Sequence, residues 1–193
     1  MPSLVPPVLP GGALSGREQP TLYADGALTL RPFRPADAPA VALAFTDPAI
    51  QRWHTHAMAS ADEAVAWINQ WRVHWAAERA ASWAVTDADD ALVGRVGLRE
   101  INLFDGVAEV AYWVLPEARG RGVVVRATEA LARWSFEELG LHRLTLRHST
   151  LNQPSCRAAE KAGFALEGVE RSALLHTDGW HDMHLHARLT DLA

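Results

Sequence analysis

Apolar and polar positions change their spacing along the chain often enough to mark its elements one by one. Residues 28–33 alternate and predict a first strand. Arg34-Pro35-Ala36-Asp37 introduces a helix to about Thr46, and a short piece follows near residues 47–53. Ser60, with Glu63 three residues on, forms a capping box for a helix to about Arg79. Trp67, Trp71 and Trp75 lie four residues apart on it, so they share one face, which reads as core. Residues 82–86, 92–101 and 107–115 are strand-like runs broken by turns at Asp87-Ala88-Asp89-Asp90 and Phe104-Asp105-Gly106, an antiparallel meander. Ala127, Ala130, Leu131 and Trp134 then recur at helical spacing until Gly140 supplies a stop. A strand at 142–147, a helix at 152–162 ended by Gly163, and strands at 166–176 and 180–188 around Thr177-Asp178-Gly179 complete the order.

The junction between the strand at 107–115 and the next helix carries the strongest chemical signal. Pro116 stops the strand, and Arg119, Gly120, Arg121, Gly122, Val123 and Val124 fall at the N-terminus of the helix. Free N–H groups and about half an elementary charge of helix dipole favour an anion there, and the glycines let it approach the backbone. A phosphate group is the natural guest. The turn lacks the Gly-Lys-Ser/Thr ending of a P-loop, and Val125 stands where a dinucleotide fold needs its third glycine.

Composition narrows the field. A chain of 193 residues, 49% hydrophobic, is long enough for one well-filled domain, expected here over 21–193. Residues 1–20, rich in proline, glycine and small side chains, predict a flexible tail. The net charge of −5 and the scattered arginines argue against nucleic acid as a partner. One cysteine excludes an internal disulfide framework, and no apolar run is long enough for a membrane span, so a soluble cytoplasmic protein is expected. A homodimer is compatible with all of this, and nothing in the sequence selects it.

The spacing Arg119-x-x-Gly122-x-Val124 resembles the Gln/Arg-x-x-Gly-x-Gly/Ala signature with which the GNAT superfamily of N-acetyltransferases holds the pyrophosphate of acetyl-coenzyme A. Val124 departs from it, with a branched side chain where the family has glycine or alanine. Further segments resemble the RimJ/RimL-like branch, the ribosomal-protein N-terminal acetyltransferase type: Leu30-Arg-Pro-Phe33, Ala108-Glu-Val-Ala-Tyr-Trp113, Asn152-Gln-Pro-Ser155 with Lys161-Ala-Gly-Phe164, and Asp178-Gly-Trp-His-Asp182. The resemblance implies the GNAT acyl-CoA N-acyltransferase fold, α/β (α+β), with a mixed central sheet of about seven strands and helices on both faces. It also implies acetyl-CoA as cosubstrate and an amine acceptor, either a protein N-terminus or a small molecule.

Residue roles follow from both sources. Glu109 shares a strand face with Ala111, Trp113 and Leu115; a carboxylate in such apolar surroundings would be desolvated and suited to act as a general base, the work of a strand glutamate in the superfamily. Ser155 is expected to assist the departing thiolate. Asn152 is a good helix N-cap, and the resemblance also places it on the pantetheine arm, which Trp113 and Val114 would pair as an added strand does. Trp53, His54, His176 and Trp180 are candidates for the acceptor pocket, with His56 nearby. No metal site is expected: His184 and His186 share a strand face with Asp182 and Arg188 and read as facing solvent or substrate. Cys156 has no histidine placed by spacing to activate it, so a nucleophilic role is not expected. The competing reading is a GNAT-fold protein that binds coenzyme A or another ligand without transfer, with Val124 closing the site to chemistry.

Overall fold

The computed structural model describes residues 4–54, 57–58 and 60–190. Among the described residues, eight strands form one mixed sheet in the order β1-β2-β3-β4-β5-β6-β8-β7. They are β1 (Leu22–Ala24), β2 (Leu28–Pro32), β3 (Ala81–Thr86), β4 (Leu92–Asn102), β5 (Val107–Val114), β6 (Arg143–Ser149), β7 (Ala165–His176) and β8 (Gly179–Leu189). The helices are α1 (Ala38–Ala44), α2 (Pro48–Trp53), α3 (Ala61–Ala76), α4 (Val123–Trp134) and α5 (Gln153–Lys161). The strand beyond the expected seven is β1, three residues long and too short to show a period. Among the described residues no helix is long and apolar enough to cross a membrane.

Alternation along the strands builds a core on each face of the sheet. Ala108 and Val110 of β5 join Leu131 and Trp134 of α4 and Ala159 of α5 on one side. Trp113 joins Val41, Phe45 and Ile68 from α1, its C-terminal end and α3 on the other. Ser60 caps α3 by accepting the Glu63 N–H at 3.1 Å. Trp67 and Trp71 pack edge to face at 5.2 Å, and Trp75 lies against Trp83 and Trp134, so the stripe is core. α4 runs into a π-helical turn, Ser135–Leu139, and Gly140 ends it in the left-handed region at φ 89°.

Residues 1–20 do not behave as a tail where they are described. Leu14 is fully buried, and Val8 and Leu9 donate backbone hydrogen bonds to Phe104 and Leu103. The Glu78 carboxylate accepts the N–H groups of Gly12, Leu14 and Ser15, and the indoles of Trp75 and Trp83 donate to the carbonyls of Arg17 and Pro20. Composition predicted otherwise because the anchors are few and their partners lie more than fifty residues away.

The feature that makes a site is where the sheet opens. β5 and β6 are its parallel pair, and they pair at three positions only, Val107–Arg143, Ala108–Leu144 and Glu109–Thr145. Beyond Glu109, β5 stays with β4 as far as Val114, while β6 stays with β8 as far as Ser149. The two strands therefore splay, and among the described residues no strand lies beside the β5 edge from Val110 to Val114.

Candidate functional site at the splayed strands

At the open end of β5 the chain passes through a short 3-10 turn (Pro116–Ala118) into the glycine turn. Gly120 and Gly122 have φ of 74° and 72°, the left-handed region that costs other residues strain, and a Cβ at either would meet open space. The first bond of α4 runs from the Arg126 N–H to the Gly122 carbonyl at 3.2 Å, so the N–H groups ahead of it have no intrahelical acceptor. Arg126 also fixes the turn by donating to the Arg121 carbonyl at 3.0 Å. Val123 is buried in the core, while Val124 is half-buried.

Arg119 differs from its expected part. Its own N–H donates to Pro116, and its guanidinium pairs with Asp47 at 2.5 Å, the residue that caps α2. The hydrogen bond from Arg119, opposed by burial, holds the Asp47 carboxyl below the usual range. Arg119 thus ties the turn to α2, and its N–H is already engaged, unlike those of the turn residues that follow it.

Glu109 lies at the fork of the splay, 3% exposed. Its surroundings are not the apolar ones expected. One oxygen accepts from Arg99, directly across on β4, and the other from Arg147 of β6 at 2.8 and 3.0 Å. The Arg147 guanidinium is held above its ordinary value, first by its hydrogen bond to Glu109. A cavity of about 160 Å³ lies beside the fork, lined by Glu100, Glu109, Arg143 and Thr145 among others. A larger hollow near Arg31 and Asp90, at the other end of the sheet, is away from these groups.

Across the splay, Ser155 is 9% exposed at the start of α5 and its Oγ lies 2.8 Å from the hydroxyl of Tyr112. Asn152 does cap α5, its Oδ1 accepting the Ser155 N–H at 3.2 Å. Tyr112 was not among the expected residues. It reaches α5 because even-numbered residues of β5 face α4 and α5, the face opposite Glu109. Burial, more than its serine partner, shapes the phenol, whose pKa is pushed up to about 12, so it stays a neutral donor.

On the Glu109 side, Trp53 ends α2 with its ring 6.0 Å from that of His176 and 6.2 Å from that of His181, and the Arg52 guanidinium stands 4.7 Å over it. His54 turns back to the Ile50 carbonyl at 2.9 Å and packs on Phe45. His56 lies outside the described residues. His176 is 8% exposed, and its ring nitrogens make no well-aligned hydrogen bond among the described residues, only a weaker approach to the Arg52 backbone. Burial, with His181 adding to it, holds it below the ordinary histidine value and therefore neutral at pH 7. Trp180 does not join this group: it is 65% exposed, because neighbours on β8 point to opposite faces and His181 takes the inner position. Trp113 and Val114 occupy the open edge, with Trp113 anchored in the core at 4% exposure.

His184 and His186 also differ from expectation. His186 is completely buried under the Phe164 carbonyl, and both rings gather around His148 and Cys156 in place of solvent.

A mixed sheet splayed at its parallel pair, with helix amides free of intrahelical acceptors at the open end and polar side chains on both faces of the gap, has the shape to admit an extended, phosphate-bearing ligand between two strands. Residues 27–165 match the family described as acetyltransferase (GNAT) domain, and the chain belongs to that family. It is 32% identical over 95 residues to the putative ribosomal N-acetyltransferase YdaF of Bacillus subtilis, covering 49% of this chain and 52% of that protein. It is 32% identical over 116 residues to spermidine N(1)-acetyltransferase of Vibrio cholerae, covering 60% of this chain and 65% of that one. The chain thus spans about half the length of the first relative and under two thirds of the second. The fold matches RimL, a ribosomal L7/L12 α-N-protein acetyltransferase solved with coenzyme A, at a TM-score of 0.83 and 19% identity over 89% of this chain and 99% of that one.

Proposed function

We propose that this protein transfers an acetyl group from acetyl-CoA to a primary amine in a single ternary complex. The observation that carries the reading is the splay at Glu109, which leaves one β5 edge unpaired directly before a helix N-terminus with free amides. The residues fit the cosubstrate. The turn's amides and its two left-handed glycines suit a pyrophosphate, and the free edge at Trp113 and Val114 suits the amide-bearing pantetheine arm. When bound, acetyl-CoA supplies an activated thioester.

The chain's own groups divide the work by face. Ser155, held by Tyr112 and by the cap at Asn152, donates a hydrogen bond to the leaving sulfur. Glu109, on the opposite face, takes the proton of the amine, directly or through water, after one arginine yields an oxygen. A second reading assigns that proton to His176, because its buried, neutral ring makes no well-aligned hydrogen bond among the described residues. The aromatic wall at Trp53 receives the amine as a cation, as it already receives Arg52.

An α-amine, with pKa near 8, has a larger neutral fraction at pH 7 than a lysine near 10.4, so we assign a protein N-terminus as the acceptor. The RimJ/RimL-like motifs and the ribosomal relative support this choice, and the spermidine relative keeps a polyamine as the competitor. The test is an acetylation assay with short peptides carrying free N-termini, the same peptides N-blocked with an internal lysine, and spermidine. Turnover with free N-termini, at least tenfold in kcat/KM over the others, supports the assignment; preference for spermidine overturns it. Coenzyme binding with no turnover on any amine would favour the non-transferring alternative.

A further inference from the structure

His148 on β6, Cys156 on α5, and His184 and His186 on β8 converge behind the splay, on the side of Ser155, and one ligand atom from each lies within 4.8 Å of every other. The hydrogen bonds around them fix which atoms are free. His148 Nδ1 lies 2.8 Å from the Ser149 carbonyl and His186 Nδ1 lies 3.3 Å from the Phe164 carbonyl. A carbonyl only accepts, so each Nδ1 carries the hydrogen and each Nε2 presents a lone pair. Those two Nε2 atoms face each other at 3.1 Å. Two acceptors at that distance repel unless a cation sits between them, either a shared proton or a metal ion. The Cys156 sulfur lies 3.8 Å from His184 Nδ1 and 3.9 Å from His186 Nε2.

We propose that His148, Cys156, His184 and His186 form a four-ligand site for a soft divalent transition metal of the zinc type. Nitrogen ligands about 2.0–2.1 Å from a tetrahedral zinc lie about 3.3 Å apart, and a thiolate at about 2.3 Å lies about 3.6 Å from each nitrogen. Three of the six pairs differ from those by a few tenths of an ångström, and the others lie within 4.8 Å, so binding would draw the side chains together. The Nδ1–H bonds to backbone carbonyls are the outer contacts that orient metal-binding imidazoles. One thiolate with three neutral imidazoles suits zinc or cobalt, and the absence of a carboxylate among the four disfavours magnesium and calcium. As the metal–sulfur bond forms, the Cys156 S–H proton leaves to solvent past Glu160, whose Oε1 lies 3.8 Å from the sulfur.

Four protein ligands leave no open position, so the ion is structural or regulatory and performs no acetyl chemistry. It would fasten the first turn of α5, which carries Ser155, to β6 and β8. This inference stands apart from the acetyl-transfer reading, and its test needs no turnover.

The test uses the chain without a histidine tag, stripped of metal by a chelator and titrated with Co2+, then with Zn2+. A 1:1 endpoint with thiolate-to-cobalt charge-transfer absorption, displaced by zinc, is expected. Cys156→Ser should lose the charge-transfer band, and His148→Gln and His186→Gln should each weaken cobalt binding by at least about 100-fold. His74→Gln, remote from the cluster, should bind as the wild type does. Circular dichroism establishes that each variant is folded, and should one histidine variant fail to fold, the other and Cys156→Ser decide the matter. Absence of saturable 1:1 binding by the folded wild type overturns the proposal, as does binding unaltered in the folded variants.

Discussion

Glu109 and Ser155 stand on opposite faces of the same gap, and this separation gives each a distinct expected phenotype. Glu109→Gln keeps the shape of the fork and removes the proton acceptor, so kcat should fall by about 100-fold or more, while His176→Gln should reduce it little. The reverse pattern would assign the base to His176. Ser155→Ala should lower kcat by roughly tenfold without abolishing turnover, because a thiol of pKa near 8.5 is already a fair leaving group; rates from single-turnover acetylation separate this from slow product release. Both candidates were picked out in the sequence, Glu109 from strand alternation with the superfamily resemblance and Ser155 from the resemblance at the Asn152 motif. Their partners were not. Tyr112 lies 43 residues from Ser155, and Arg147 lies 38 from Glu109, and no local period encodes a contact set by strand register. Arg99 was hidden in the same way, since it meets Glu109 only through the β4–β5 pairing.

At the scale of an element, a single side chain supplies three of the hydrogen bonds that hold the N-terminal segment. Glu78 ends the α3 region with φ 56°, and its carboxylate receives three backbone N–H groups. Burial pushes this carboxyl up, and the three donors outweigh it, so it titrates below the usual glutamate range. A depressed folded value means that the stabilisation is present above the unfolded value near 4.5 and is lost as pH falls through the folded one. Tryptophan fluorescence, reporting Trp75 and Trp83 beneath the segment, should therefore change on acidification below about pH 4.5. Glu78→Gln should show the change already at neutral pH, with a stability loss of about 1–2 kcal/mol by denaturant titration. A wild-type signal flat down to global unfolding would contradict the latch. Helices with strong caps, such as α3 behind Ser60, were readable from sequence; this segment was not, because few of its residues carry a pattern and its partners, Trp75, Glu78, Trp83 and the carbonyls of Leu103 and Phe104, lie far along the chain.

Across the whole molecule, the order of strands and helices followed from apolar spacing and turn residues, and the family motifs agreed with it. The splay did not follow from spacing, because β5 and β6 each look like an unbroken buried strand and the gap exists only in their short pairing; only the resemblance, which set the pantetheine arm against Trp113 and Val114, implied an open edge there. The histidine and cysteine cluster was equally hidden: its four members come from three elements and meet only when α5 folds over β6 and β8. The proposed function divides the labour across the fold, with pyrophosphate assigned to the α4 N-terminus, thiolate assistance to the α5 side and amine deprotonation to the α2 side. That account depends first on acetyl-CoA occupying the gap. Isothermal calorimetry of the wild type, Glu109→Gln and Gly122→Val measures it directly. We predict 1:1 binding with Kd on the order of micromolar, retained in Glu109→Gln and weakened at least tenfold in Gly122→Val, where a branched residue cannot hold φ 72° without strain. No binding by the wild type, or binding undiminished by Gly122→Val, would contradict it.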